Sequence, residues 1–220
     1  IAENPVAVDP AVRALVRVGL DDVRGWLEGG MNSWRQRGLP FKATVTDWLA
    51  LAYAGLADTY ALMPLYGNFR PNEYKPRAKR SALQALELNP RLAEAHASLG
   101  YIVNSFEFDW EAAEREYKIA LELDPNYPTA RQWYAEHLAF TGRTDEALEQ
   151  ITLALDLDPL SLVINRMKGN VLGFAGRHDE AIEQHWRTIE LYPENSLVRF
   201  NLGESFAAKG MYKEAVEQFL

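Results

Sequence analysis

The 220-residue chain contains no cysteine. Disulfides, zinc–thiolate centres and thiol nucleophiles are therefore excluded, and the compartment stays open, with the cytoplasm as the default expectation. Basic residues are in deficit, since 23 Lys and Arg stand against 31 Asp and Glu for a net charge of −8. Nucleic acid and anionic membrane surfaces both require a basic footprint, so neither is an expected partner. Long apolar runs are missing too. The longest, WLALAYAGLADTYALM (48–63), is interrupted by Asp58 and followed by Pro64. It falls short of the roughly 20 apolar residues of a spanning helix and reads as a buried helix ended by that proline. No serine–histidine–acid spacing, phosphate-cradling glycine loop or paired-carboxylate constellation stands out. Neither enzymatic activity nor a cofactor is expected.

What the chain does contain is a period. Residues 126–159 read as a helix, a turn at Gly142, a second helix and a terminating proline. The same sentence recurs: LELNP ends at Pro90, LELDP at Pro125, LDLDP at Pro159 and IELYP at Pro193, at spacings of 35, 34 and 34 residues. A fixed period of that size marks a solenoid, in which each helix pair buries its apolar face only against its neighbours. With 48% hydrophobic residues there is enough apolar material for a sizeable core.

The first 45 residues are written differently. PVAV (5–8) is β-prone, Asp9-Pro10 starts a helix, DDV-RGW reads as a second short strand, Gly29-Gly30 as a turn, and MNSWRQRG as another helix closed by Gly38 and Pro40. This α/β pattern over 18–40 resembles the closing segment of a rhodanese-like domain. That family carries its chemistry on a cysteine above a cradle of backbone N–H groups, and neither is present, so the segment reads as a non-catalytic remnant or a cap on the first repeat. The chain starts at Ile1 without a signal segment and stops at Leu220 within a predicted helix. Both ends read as cut from something longer.

From about residue 47 to 220 the small and large positions recur as in a tetratricopeptide repeat. Leu99-Gly100, Ala113, Tyr117 and Ala120 correspond to Tyr134-Ala135, Ala147, Ile151 and Ala154; to Gly169, Ala181 and His185; and to Leu202-Gly203, Ala215 and Phe219. Small residues let the two helices of a pair approach, and large ones fill the gap. The resemblance implies a mainly α fold: a right-handed superhelix of about five helix pairs over 46–220, the last truncated, with the short α/β segment 1–45 in front. Two departures stand out. PLYGNFRPNEYKP (64–76) carries about nine extra residues, and NSFEFDWEAAE one. These segments are also similar to the repeat halves of multidomain bacterial regulators.

In such repeats the first helix of each pair lines the concave face. The resemblance therefore implies a groove formed by Tyr101, Asn104, Gln132, Glu136, Phe140, Arg166, Asn170, Phe174, Phe200, Asn201 and Glu204. Phe140, Phe174 and Phe200 would anchor a peptide, and Gln132, Asn170 and Glu204 would hold its backbone. Arg166, Asn170 and Asn201 further resemble the carboxylate clamp that holds a chain terminus. His96, His137, His178 and His185 raise a metal reading, but His178 and His185 are two helical turns apart, too far for shared coordination. His185 is better read as the large packing residue of its repeat. Glu111, Glu114 and Glu116, with Arg115 and Lys118, read as a solvated helix face. The expected function is a non-catalytic scaffold that binds a peptide or protein segment. The alternative is a regulatory or self-associating half, possible as a homodimer, of a larger bacterial signalling or transcription-regulating protein.

Overall fold

The computed structural model describes residues 45–66 and 70–220. The α/β pattern expected over 1–45, and with it the rhodanese resemblance and the domain division after residue 45, lie outside the described residues. Within them every regular element is helical: α1 (Val45–Tyr66), α2 (Pro71–Leu88), α3 (Ala93–Ile102), α4 (Trp110–Leu123), α5 (Pro128–Phe140), α6 (Thr144–Leu157), α7 (Leu162–Phe174), α8 (His178–Leu191), α9 (Ser196–Ala208) and α10 (Tyr212–Phe219), with a π-helical turn at Val103–Glu107. The described residues fall into two compact units, divided between Ile102 and Val103.

In the first unit α1 and α2 pack along their length and α3 packs on both. Ala50, Ala54, Ala57 and Ala61 recur at spacings of three and four on α1, as do Ala78, Ala82 and Ala85 on α2, and all are buried. Spaced so, they lie on one face of each helix, and side chains this small let backbones approach closely. Ala54, Ala85 and Ala95 form a core cluster covered by Tyr53, Leu86 and Leu92. Contrary to the sequence reading, Pro64 does not end α1, which runs on to Tyr66. A proline this close to the C-terminus interrupts only the last turn. The expected insertion at 64–76 is mostly helical: α1 has 22 residues and α2 has 18, against 13 to 14 for α4 to α9.

In the second unit α5 and α6, α7 and α8, and α9 and α10 are helical hairpins, and α6 packs on α7 and α8 on α9. This is the stacking of an α-solenoid. The hairpin turns are built alike. Gly142, Gly176 and Gly210 have φ of 80°, 73° and 77°, and the next N–H reaches back five residues: Arg143 to the carbonyl of Leu138 (2.8 Å), Arg177 to Leu172 (2.9 Å) and Met211 to Phe206 (2.9 Å). These are left-handed caps that satisfy carbonyls left over at a helix end. The equivalent position in the preceding turn, 34 residues before Gly142, holds Phe108 with φ of 57°.

The single extra residue of that repeat is absorbed in the π-helical turn Val103–Glu107, as a one-residue insertion into an α-helix commonly is. Helices α4, α6, α8 and α10 consequently start at strict 34-residue intervals.

The terminating prolines have a further role that sequence reading missed. The carbonyl oxygen of each accepts a hydrogen bond from the side chain six residues on: Pro90 from His96 (3.0 Å), Pro125 from Arg131 (2.7 and 2.9 Å), Pro159 from Asn165 (2.9 Å) and Pro193 from Arg199 (3.3 Å). Each carbonyl lies in the short link between two helices, outside any helical ladder. A side chain from the first turns of the next helix supplies the missing donor.

Core packing in this unit matches large to small. Ile151 on α6 corresponds to His185 on α8 and Phe219 on α10, and the facing positions on α5, α7 and α9 are Ala135, Gly169 and Gly203. A Cβ placed on Gly169 would come within 2.3 Å of the His185 ring, and one on Gly203 within 2.4 Å of Phe219. Where the second helix brings a ring, the first gives up its side chain altogether.

Candidate functional site

Helices α5, α7 and α9 are successive first helices of their hairpins and pack against one another. Of the residues expected on their groove face, Phe140, Phe174 and Phe200 are the exposed aromatics, at 54%, 53% and 49%. Phe140 and Phe174 end α5 and α7 and meet edge-to-face, with ring centroids 5.6 Å apart, an arrangement favoured by the aromatic quadrupole. Phe200 turns to Phe219 on α10, at 5.4 Å.

A line of polar groups crosses the same helices. Arg166 Nη1 donates to Asn201 Oδ1 over a long 3.4 Å, and Asn201 Nδ2 donates to Glu204 Oε2 at 3.0 Å. Glu136 is half-buried; burial raises its carboxyl pKa, and the charge of Arg166 opposes that rise. Asn201 and Gln132 are themselves buried, so they support the surface more than they form it. Tyr101 is buried within the first unit. Asn104 Oδ1 is paired with His137 Nδ1 at 2.8 Å, which commits it to the contact with α5.

Four expected residues come together. Asn170, Phe174, Asn201 and Glu204 line one open cleft of about 250 Å³, with Gly173, His178, Ser205 and Ala208 completing it. The clamp-like set is also close, since Arg166 bonds to Asn201 beside Asn170. A carboxylate already sits against Asn201, however, namely that of Glu204. A larger hollow of about 470 Å³ runs along α2, lined by Pro76, Lys79, Arg80, Leu83, Gln84 and Glu87. All its lining comes from one helix, so it lacks the facing walls that hold a ligand.

Two features escaped the sequence reading. Glu114, assigned there to a solvated face, is a hub instead: its Oε1 accepts from Tyr134 Oη (2.9 Å) and pairs with Arg143 (2.7 Å) and Lys118 (2.9 Å). Burial raises its pKa, but the donors from Arg143, Lys118 and Tyr134 outweigh it and hold the carboxyl at about 2. Tyr134, buried and bonded to that carboxylate, is pushed up to about 12. These contacts tie α4 to α5 and to the α5–α6 turn. The second feature is the cleft residues His178 and Ser205, whose places depend on how α8 and α9 meet α7. Among the described residues no group of three or more potential metal-ligating side chains lies together, and no helix is long and apolar enough to cross a membrane.

Residues 107–165 and 166–220 each match the sequence profile of the tetratricopeptide repeat, together more than half of the chain. The chain belongs to the tetratricopeptide repeat family. Several solved structures align with most of its length. PilF of Pseudomonas aeruginosa is 22% identical and covers 80% of this chain and 75% of its own, with a TM-score of 0.65. A thermophilic tetratricopeptide protein of Thermus thermophilus is 19% identical over 76% of this chain and 87% of its own, with a TM-score of 0.63. YrrB, described as a tetratricopeptide protein with an unusual peptide-binding site, is 23% identical over 77% and 82%, with a TM-score of 0.53. At these identities the likeness is one of fold. No curated protein sequence matches the chain. The rhodanese-like reading of residues 1–45 gains no support from these comparisons.

Proposed function

We propose that this tetratricopeptide protein is a non-catalytic interaction scaffold whose second unit binds an extended peptide or protein segment on the face formed by α5, α7 and α9. The observation that carries this reading is the convergence of Asn170, Phe174, Asn201 and Glu204 on one cleft, next to an exposed edge-to-face pair of phenylalanines. Exposed aromatics beside the unspent amide of Asn170 and the carboxylate of Glu204 suit a ligand that brings both apolar side chains and backbone N–H and C=O groups. The peptide-binding site named for YrrB is in keeping with this reading, and the groove assignment here stands on this chain's own residues.

The test is selection of binders from a random displayed-peptide library, followed by affinity measurement against the triple variant Phe140→Ala, Asn170→Ala, Phe200→Ala. A loss of more than tenfold with unchanged helical circular dichroism is expected. Unchanged affinity would sink the groove assignment.

A second reading, self-association as part of a larger bacterial signalling or regulatory protein, is favoured by α10, where Tyr212, Val216 and Phe219 are exposed. Light scattering separates the two: a concentration-dependent dimer abolished by Val216→Lys supports assembly, and a monomer at all concentrations supports partner capture.

A further inference from the structure

Phe106, Phe140 and Phe174 stand at 34-residue intervals, and the next position in the series is Ala208. The register is real in three dimensions, because the π-helical turn absorbs the one extra residue of the first of these repeats. Phe140 and Phe174 close the C-terminal ends of α5 and α7, and Ala208 closes α9 in the same way. Phe174 therefore has an aromatic neighbour on one side only. On its other side, where the next ring of the series would lie, the structure has the cleft that Phe174 and Ala208 both line.

The cleft is not purely apolar. Asn170 is half-buried and its side-chain amide is bonded to no other side chain, and the buried Nδ1 of His178 has no partner. A buried polar atom left in this state, with an uncommitted amide beside it, favours a ligand that supplies what they lack. At about 250 Å³ the space lies below the roughly 300 Å³ at which small-molecule sites begin, and matches one side chain of a longer ligand better than a whole metabolite.

We infer that this cleft is a tyrosine pocket: the phenol ring of a partner polypeptide takes the place that Ala208 vacates, extending the Phe140–Phe174 edge-to-face series by one ring. A phenol hydroxyl both donates and accepts. It donates to His178 Nδ1, with the imidazole proton on Nε2, and accepts from Asn170 Nδ2, so that one group satisfies two unpartnered atoms. Glu204, the only acidic side chain lining the cleft, then stands at the mouth to accept a backbone N–H of the partner. A phenylalanine fits the ring position but leaves both polar atoms unpaired, and a leucine lacks the ring edge that Phe174 would meet. The inference rests on the peptide-binding reading above and specifies which side chain that peptide must carry.

The probe is N-acetyl-L-tyrosinamide, titrated into the intact protein with N-acetyl-L-phenylalaninamide and N-acetyl-L-leucinamide as comparisons, and followed by NMR shifts of the Asn170 and Asn201 side-chain amides. Saturable shifts are expected for the tyrosine probe, several-fold weaker binding for the phenylalanine probe, and none for the leucine probe. Ala208→Phe, which restores the missing ring from within, should abolish binding of all probes. Asn170→Ala should bring the tyrosine probe down to the affinity of the phenylalanine one, which keeps the test decisive if Ala208→Phe folds poorly. Equal binding of leucine and tyrosine probes, or tyrosine binding untouched by both variants, overturns the pocket. Library-selected peptides that lose affinity in the Phe140, Asn170 and Phe200 triple variant but carry no tyrosine and ignore Ala208→Phe would leave the groove standing and remove the pocket. Peptides indifferent to the triple variant would remove the groove itself.

Discussion

The two units fill their interiors by different means. In the first, long helices meet through rows of alanine, from Ala50 to Ala61 on α1 and Ala78 to Ala85 on α2. In the second, shorter helices meet through unequal pairs, with Gly169 under His185 and Gly203 under Phe219. Among the described residues, two ionisable side chains of opposite kind are strongly shifted by burial, one in each unit. Asp58 is half-buried in the first unit and the loss of solvent pushes its carboxyl up to about 7. His185 is buried in the second, and burial, aided by the charge of Arg166, pushes its imidazole down to about 4. Both shifts express one rule, that a low-dielectric interior disfavours the charged form, acting on an acid and a base.

The surroundings of Asp58 agree with a protonated carboxyl. Ser98 Oγ lies 2.5 Å from Asp58 Oδ1 and 2.8 Å from the Glu94 carbonyl oxygen. A hydroxyl has a single hydrogen. Both contacts are satisfied when Ser98 donates to the carbonyl and a neutral Asp58 donates to Ser98. The comparison thus teaches that the two units should respond to pH in opposite senses, a difference that no inspection of net charge reveals.

The largest expected effects test that opposition. For Asp58 the folded pKa lies above the unfolded one, so its contribution is complete below about 4 and is lost as pH rises toward 7. At about 1.4 kcal/mol per unit this amounts to roughly 4 kcal/mol. For His185 the folded pKa lies below the unfolded one, so its contribution is complete above about 6.5 and is lost as pH falls toward 4, roughly 3 kcal/mol. Hydrogen exchange resolved by region, measured between pH 4 and 7.5, should show protection of α1 and α3 falling with rising pH and protection of α7 and α8 falling with acid. Asp58→Asn should flatten the first profile and His185→Phe the second. Parallel profiles in both units would break the comparison.

A smaller pair of effects sharpens the account of packing. Gly169→Ala drives a methyl group into a ring that is fully enclosed, and is expected to cost about 2 kcal/mol of stability. Gly203→Ala makes an equally close approach, but Phe219 is half-exposed on α10 and can swing away. Its cost should stay below about 1 kcal/mol. Urea unfolding of the two variants side by side measures the difference, and equal costs would show that the enclosure of His185 is not what matters.

The smallest effect is a gain. Phe108 holds the left-handed conformation that Gly142, Gly176 and Gly210 hold in the later turns, and its ring is 72% exposed. Phe108→Gly should relieve a conformation that costs a side-chain-bearing residue about 1 kcal/mol while exposing nothing further. A rise of a few degrees in Tm is the expected reading.

Much of this was legible before any coordinates. The four prolines gave the period, Gly142 gave the hairpin turn, and the compensation of Gly169 by His185 was readable as a large residue at a packing position. Phe140 and Phe174 came to notice as equivalent positions of the repeat resemblance, and the structure has them exposed and edge-to-face. Glu114 was misjudged because its partners, Tyr134 and Arg143, stand 20 and 29 residues away; on its own helix it has the pattern of any solvent-facing acid. Pro64 was misjudged because local rules treat proline as a stop, whereas the last turn of a packed helix tolerates one.

The sequence by itself determined the repeat unit, its turns and its stops, because those depend on glycine, proline and period, which act over a few residues. Only the tertiary structure decided which polar groups are spent and which remain. Asn201 is bonded on both sides while Asn170 is not, and Ala208 leaves beside Phe174 a space that no single helix shows. Hydrogen bonding and vacancy are relations between helices, and they exist only once the hairpins have stacked.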